Sequence, residues 1–166
     1  MKEILSLSAE QTFNIGLILG KILKKGDIVC LSGDLGTGKT AFVGGIAKAF
    51  SIDSYLTSPT FTIVNEYSGE IPLYHFDVYR IGDIDELYDI GFEEYLYSDG
   101  VVVIEWAELV KDAIPEENIW IEITKDLSIG TDARKIKIEF NGERYKAYEE
   151  EMDRSIKSVT KGSGNI

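Results

Sequence analysis

"CLSGDLGTGKTAFV", residues 30–43, places Gly33, Gly38, Lys39 and Thr40 in the pattern G-x-x-x-x-G-K-[ST]. Each position answers a chemical need. Backbone N–H groups that curl around a phosphate require residues free to take positive φ and to approach the anion closely. The lysine reaches the β and γ phosphates, and the threonine hydroxyl is a ligand for Mg²⁺. Gly36 adds freedom inside the loop. The upstream "DIVCLSG" is a short apolar run, read as a strand buried on both faces. Downstream, residues 40–50 read as a helix whose positive N-terminal end would face the anion. A strand, a phosphate loop and a helix in this order predict a bound nucleoside triphosphate with Mg²⁺.

Such a loop needs an acid at the tip of a neighbouring strand to hold or orient the metal and its waters. Two strands end that way. "VVVIE" brings Glu105 after four apolar residues, and "LYHFD" brings Asp77 after a more mixed run. Glu105 is the favoured metal ligand beside Thr40. Asp77 is read as orienting water or pairing with Arg80. Catalytic candidates are therefore Lys39, Asp77 and Glu105. Trp106 follows Glu105 and is read either as packing near the nucleotide or as core. His75, the single histidine, reads as a satisfied strand residue rather than a catalyst. In "TSPTF", Thr60 is a candidate sensor of the γ-phosphate, or a turn former beside Pro59.

Outward from the site, "SAEQTFNIGLILGKILKKGD" reads as a first helix, capped by Ser8 and Gln11 and stopped near Gly26. "FTIVNEY" and "PLYHFDVY" are strands about a turn. Residues 83–97 are helical in pattern. "NIWIEIT" and "RKIKIEF" alternate like half-exposed antiparallel strands. A charged helix follows from Tyr145. The expected fold class is α/β: a P-loop NTPase-like three-layer fold with a mixed sheet, central parallel strands and antiparallel strands toward the C-terminus. One domain is expected over residues 1–159, with 160–166 a frayed tail.

The composition bounds the function. The 166 residues suit one domain with a real core. Twenty-nine acidic residues against 17 Lys and Arg give a net charge of -12. Tight direct binding to nucleic acid needs a basic patch, and the longest basic run is "KK" at 24–25. One cysteine rules out an internal disulfide framework. The N-terminus turns polar too soon for a signal peptide, and no run is long enough to span a bilayer. A cytoplasmic location without a membrane role is expected. The guanine-reading N-K-x-D signature is absent, which favours adenine, hence ATP.

"GDLGTGKT", "SPTFTIVNEY", "YHFDVYRI", "ELYDIGFEEYL" and "VVVIEWAE" occur in this order. Together they resemble the TsaE (YjeE) family, over about Ser8 to Glu108 and more loosely to the end. The resemblance implies a small ATPase, weak alone, that serves tRNA threonylcarbamoyladenosine synthesis. It implies two protein partners, TsaB and TsaD, with tRNA engaged only indirectly through them. The free chain is expected as a monomer or in weak self-association. By matching position, Thr40 and Glu105 are implied Mg²⁺ ligands, and Gly36 to Ala41 wrap the phosphates. Asp77 and Thr60 belong to functional motifs, and Thr12 is implied on the adenine side. The tail beyond Tyr145 is longer and more charged than the family pattern. Two other readings of the same loop stand beside this one, a stand-alone small-molecule kinase and a nucleotide-gated binding module. Arg80 could supply an arginine finger in cis, or a partner could supply one in trans.

Overall fold

A computed structural model describes residues 1–54 and 56–162, the side chains of 158–162 excepted. Seven strands form one sheet: β1 (Lys2–Ser6), β2 (Ile28–Ser32), β3 (Val64–Tyr67), β4 (Leu73–Asp77), β5 (Val101–Glu105), β6 (Asn118–Lys125) and β7 (Arg134–Asn141). Their order is β1-β7-β6-β2-β5-β4-β3. The inner four, β6, β2, β5 and β4, run parallel. β3 is antiparallel at one edge, and β7 and β1 are antiparallel at the other. The mixed sheet has the expected parallel centre, and its inner strands β2 and β5 are buried at every residue.

Alternation along the strands builds two apolar layers. Val29, Leu31, Val101, Val103, Ile119, Ile121, Ile136 and Ile138 pack against α1 (Ala9–Gly20), α2 (Lys39–Ala49) and α5 (Lys146–Gly162). Cys30, Phe76, Val102 and Ile104 pack against α3 (Ile84–Asp89), α4 (Phe92–Leu96) and a 3₁₀ helix over Ala107–Ala113. Helices on both faces give the three-layer α/β sandwich.

α1 and α2 touch through glycine. A Cβ on Gly16 would lie 2.1 Å from the Phe42 carbonyl oxygen, and one on Gly45 would lie 2.0 Å from that of Phe13. This contact sets α1 against the start of α2 and so brings Thr12 beside the phosphate loop. The C-terminal helix is fixed by Asp27, which is fully buried. Its carboxylate accepts from Arg144 Nε (2.8 Å), the Tyr148 hydroxyl (3.0 Å) and the Lys24 N–H (2.7 Å). Burial pushes the Tyr145 phenol up to about 12 and raises that of Tyr148 further.

Four details differ from the sequence reading. α1 ends at Gly20 rather than near Gly26, because the chain turns at residues 21–23 and Gly26, at φ +84°, serves the turn into β2. Residues 83–97 split into α3 and α4 at Gly91, whose φ of +77° breaks the helix. β1 was read as no element at all. It pairs with β7, far downstream, in a register that sets Ile4 opposite Ile136. α5 continues to Gly162, and the expected tail from 163 onward lies outside the described residues. Among the described residues no helix is long and apolar enough to cross a membrane.

Candidate nucleotide site

The site grows from the C-terminal ends of the parallel strands. β2 stops at Ser32, and the chain then curls through Gly33 (φ +135°), Gly36 (φ +74°) and Gly38 (φ +105°) before α2 begins at Lys39. At Gly33 the glycine is obligatory on two counts. Its φ is positive, and a Cβ there would stand 2.2 Å from the carbonyl oxygen of Ile123 on β6. The loop is held from inside. Lys39 Nζ donates to the carbonyls of Gly33 (2.6 Å) and Asp34 (3.0 Å) and lies 4.2 Å above the Trp106 ring. Thr37 is buried, and its hydroxyl donates to the Asp34 carbonyl at 3.0 Å. Burial lowers the Lys39 ammonium from its ordinary range, against the pull of Glu105, Glu108, Asp77 and Asp34. An electropositive, partly desolvated ammonium among four carboxylates suits a group that exchanges protein oxygens for phosphate oxygens.

The loop is also held from outside. Arg134, the first residue of β7, donates from Nε to the Thr37 carbonyl (2.9 Å) and from an η nitrogen to that of Gly36 (3.5 Å). Its other η nitrogen is tied to the carbonyls of Thr131 and Ala133. Lys125, its register partner on β6, brings its ammonium near Gly36.

The two acids meet side by side. Asp77 and Glu105 are register partners at the ends of β4 and β5, and both are buried. Asp77 Oδ2 accepts from the hydroxyls of Ser58 (3.0 Å) and Thr60 (3.2 Å), whose own oxygens stand 2.8 Å apart. Its Oδ1 accepts from the Tyr79 N–H at 3.0 Å. The pairing of Asp77 with Arg80 is not formed. Arg80 instead stacks its guanidinium 4.4 Å above the ring of Phe61. Glu105 Oε1 is 2.7 Å from His75 Nε2. Trp106 takes a left-handed φ of 61° and leans on Tyr79, with ring centres 4.7 Å apart. A tryptophan at such a φ is strained, and here the strain turns the indole over Lys39.

A cavity of about 510 Å³ opens between these groups, within the range of small-ligand sites. Of the residues expected from sequence, Gly36, Gly38, Lys39, Thr40, Asp77, Glu105, Trp106 and Thr60 line it. Gly33 and Thr37 stand behind the loop as its supports. Thr12 is buried, its hydroxyl bonded to Ser6 Oγ (2.8 Å) and the Ser8 carbonyl (3.2 Å), with its methyl toward Gly38. Ala41 faces a shallower hollow shared with Phe13 and Lys48. Sequence reasoning missed Arg134, Ser58, Tyr79, Leu35 and Ala9, which complete the lining. Arg134 carried no signal in the sequence, because only the return of β7 beside β6 brings it to the loop.

The donors fit a hard divalent cation. Thr40 offers a hydroxyl and the two acids offer carboxylates, all oxygen. Among the described residues no three His, Cys, Asp or Glu side chains group into a metal cage of their own.

Known proteins resemble the chain over most of its length. Residues 6–136 match the family model "TsaE: Threonylcarbamoyl adenosine biosynthesis protein TsaE". The chain is 41% identical over 150 residues to the tRNA threonylcarbamoyladenosine biosynthesis protein TsaE of Bacillus subtilis, covering 90% of this chain and 92% of that one. It is 43% identical over 118 residues to the protein of the same name from Treponema pallidum, covering 71% and 87%. The crystal structure of Bacillus subtilis YdiB superposes with a TM-score of 0.80 at 36% identity, over 92% of this chain and 94% of that one.

Proposed function

The chain belongs to the TsaE family, and from that premise we propose that it is an Mg²⁺-dependent ATP-binding and ATP-hydrolysing subunit for threonylcarbamoylation of adenosine next to the anticodon in tRNA. The observation that carries this reading is the meeting of Lys39 and Thr40, at the start of α2, with the buried acids Asp77 and Glu105 across one cavity.

The chemistry is positioning and electrostatics. The loop N–H groups and Lys39 neutralise phosphate charge. Thr40 and Glu105 would hold Mg²⁺, which would supply positive charge against the phosphates. Asp77, fixed by Ser58, Thr60 and the Tyr79 N–H, orients the attacking water, and Trp106 and Tyr79 wall the site from solvent. Arg134 keeps the loop carbonyls turned away from the phosphates and their N–H groups toward them.

Weak activity alone follows if the cation needed in the transition state comes from elsewhere. Arg80 is stacked on Phe61, so this reading gives that role to a partner. The partners are TsaB and TsaD, and tRNA is held by them. A net charge of -12 suits a subunit that meets proteins rather than RNA. The apolar side chains Leu35 (84% exposed) and Phe61 (82% exposed) stand at and beside the cavity mouth, where a protein would cover them. The cytoplasm is the compartment this role requires.

Calorimetric titration of ATP with and without Mg²⁺, followed by phosphate release, tests the reading. The parent chain should bind and slowly hydrolyse ATP, and Glu105→Gln should bind but not hydrolyse. Absence of ATP binding, or transfer of the γ-phosphate to a metabolite, would overturn it.

A further inference from the structure

His75 sits on β4 two residues before Asp77, on the same face, and is fully buried. Its neighbours in register are Asn65 on β3 and Val103 on β5. Its Nε2 lies 2.7 Å from Glu105 Oε1. A carboxylate oxygen can only accept, so Nε2 carries the proton and donates. Among the described residues the buried Nδ1 has no hydrogen-bond partner. In the neutral ring that nitrogen is a bare acceptor, the lesser cost; a second N–H there would be an unmet donor in an apolar layer. One tautomer therefore suits the slot.

An apolar side chain of similar size would fill this place without the unmet Nδ1. What the imidazole adds is the bond to Glu105. A glutamate has three rotatable bonds and, unrestrained, several rotamers. Bonded at one oxygen, Glu105 is confined while it still lines the cavity. Ligating carboxylates owe much of their orientation to such partners.

We propose that His75 is a positioning residue, whose Nε2–H holds the Glu105 carboxylate in the one conformation that serves Mg²⁺ in the nucleotide cavity. The proposal rests on the ATPase reading above. His75 touches neither nucleotide nor metal and acts through Glu105 alone.

The test uses His75→Leu, which fills the slot without a donor, and His75→Gln, whose amide can reach the Nε2 position. Binding of a fluorescent ATP analogue is measured in EDTA and across an Mg²⁺ titration, with a melting curve for each protein. His75→Leu should need about tenfold more Mg²⁺ for half-maximal tightening, the scale of such supporting contacts. Its affinity in EDTA should stay unchanged, and His75→Gln should recover most of the loss. An unchanged Mg²⁺ requirement in His75→Leu, or no recovery by His75→Gln, would overturn the proposal and leave a residue that affects melting only.

Because the chain has one histidine, ¹⁵N-histidine labelling of the free protein reports a single ring. Proton on Nε2 and none on Nδ1 is the expected signature, and the reverse tautomer would overturn the proposal even if His75→Leu fails to fold. If the parent chain binds no nucleotide at all, the ATPase reading fails, while the ring signature still decides whether His75 donates to Glu105.

Discussion

Asp77 and Glu105 lie opposite each other at the ends of adjacent parallel strands, yet their carboxylates are held by different partners. Asp77 takes two hydroxyls and a backbone N–H from the segment around it, and Glu105 takes an imidazole from the neighbouring strand. Under the proposed function these different partners give two like acids in one cavity separate tasks, one toward water and one toward the cation.

Replacing Asp77 separates chemistry from folding. Asp77→Ala strips three hydrogen bonds from a buried acceptor and should lower unfolding free energy by about 2 kcal/mol. Asp77→Asn keeps an acceptor for the Tyr79 N–H and should lose less stability, while hydrolysis falls by about a hundredfold or more. Urea unfolding and single-turnover hydrolysis on both variants check this, and equal losses of stability would contradict it.

Arg134 should matter to nucleotide affinity without contacting substrate in the free protein. Arg134→Ala frees the Gly36 and Thr37 carbonyls, and ATP affinity should fall by about tenfold, the effect of one charge-assisted tether. Lysine cannot reproduce the fork, so Arg134→Lys should recover only part. Calorimetric titration reads both.

Lys39 gives the stability a pH signature. Burial lowers its folded pKa below the ordinary 10.5. Between the two values the unfolded chain binds more protons than the native one, so native stability rises with pH in that window. The parent should therefore gain stability relative to Lys39→Met as pH climbs toward 10, with no Lys39-dependent change below the window. Melting temperatures of both proteins from pH 7 to 10 decide it; a constant difference would contradict it.

The glycine contact between α1 and α2 predicts a packing penalty. Gly45→Ala drives a methyl against the Phe13 carbonyl, and the forced separation should cost about 2 kcal/mol. Chemical denaturation measures it, and a neutral effect would show that the helices can part freely.

The phosphate loop could be read from sequence because its requirements are local: glycine where φ is positive, lysine and threonine at fixed offsets. Glu105 could be read because it ends an apolar run and Asp77 because it ends a strand-like one, and a strand end on a parallel sheet is where a cleft forms. Arg134, Ser58 and Tyr79 could not, since only the return of β7, the segment before β3 and the turn after β4 bring them to the site. β1 was missed because a five-residue edge strand has no meaning until β7 supplies its partner. His75 is a buried strand residue as expected, but only its Nε2 is satisfied, and nothing in the sequence names Glu105 as its partner. The break at Gly91 shows the opposite limit: apolar spacing across 83–97 suggests one helix, and a single positive φ makes two.

The most direct test of the account is steady-state phosphate release from ATP by the parent chain alone and with TsaB, TsaD and tRNA added, with Glu105→Gln as control. The account predicts slow release alone, clear stimulation by the two proteins, and none from Glu105→Gln. Turnover by the parent that is unchanged when both partners and tRNA are present would contradict it.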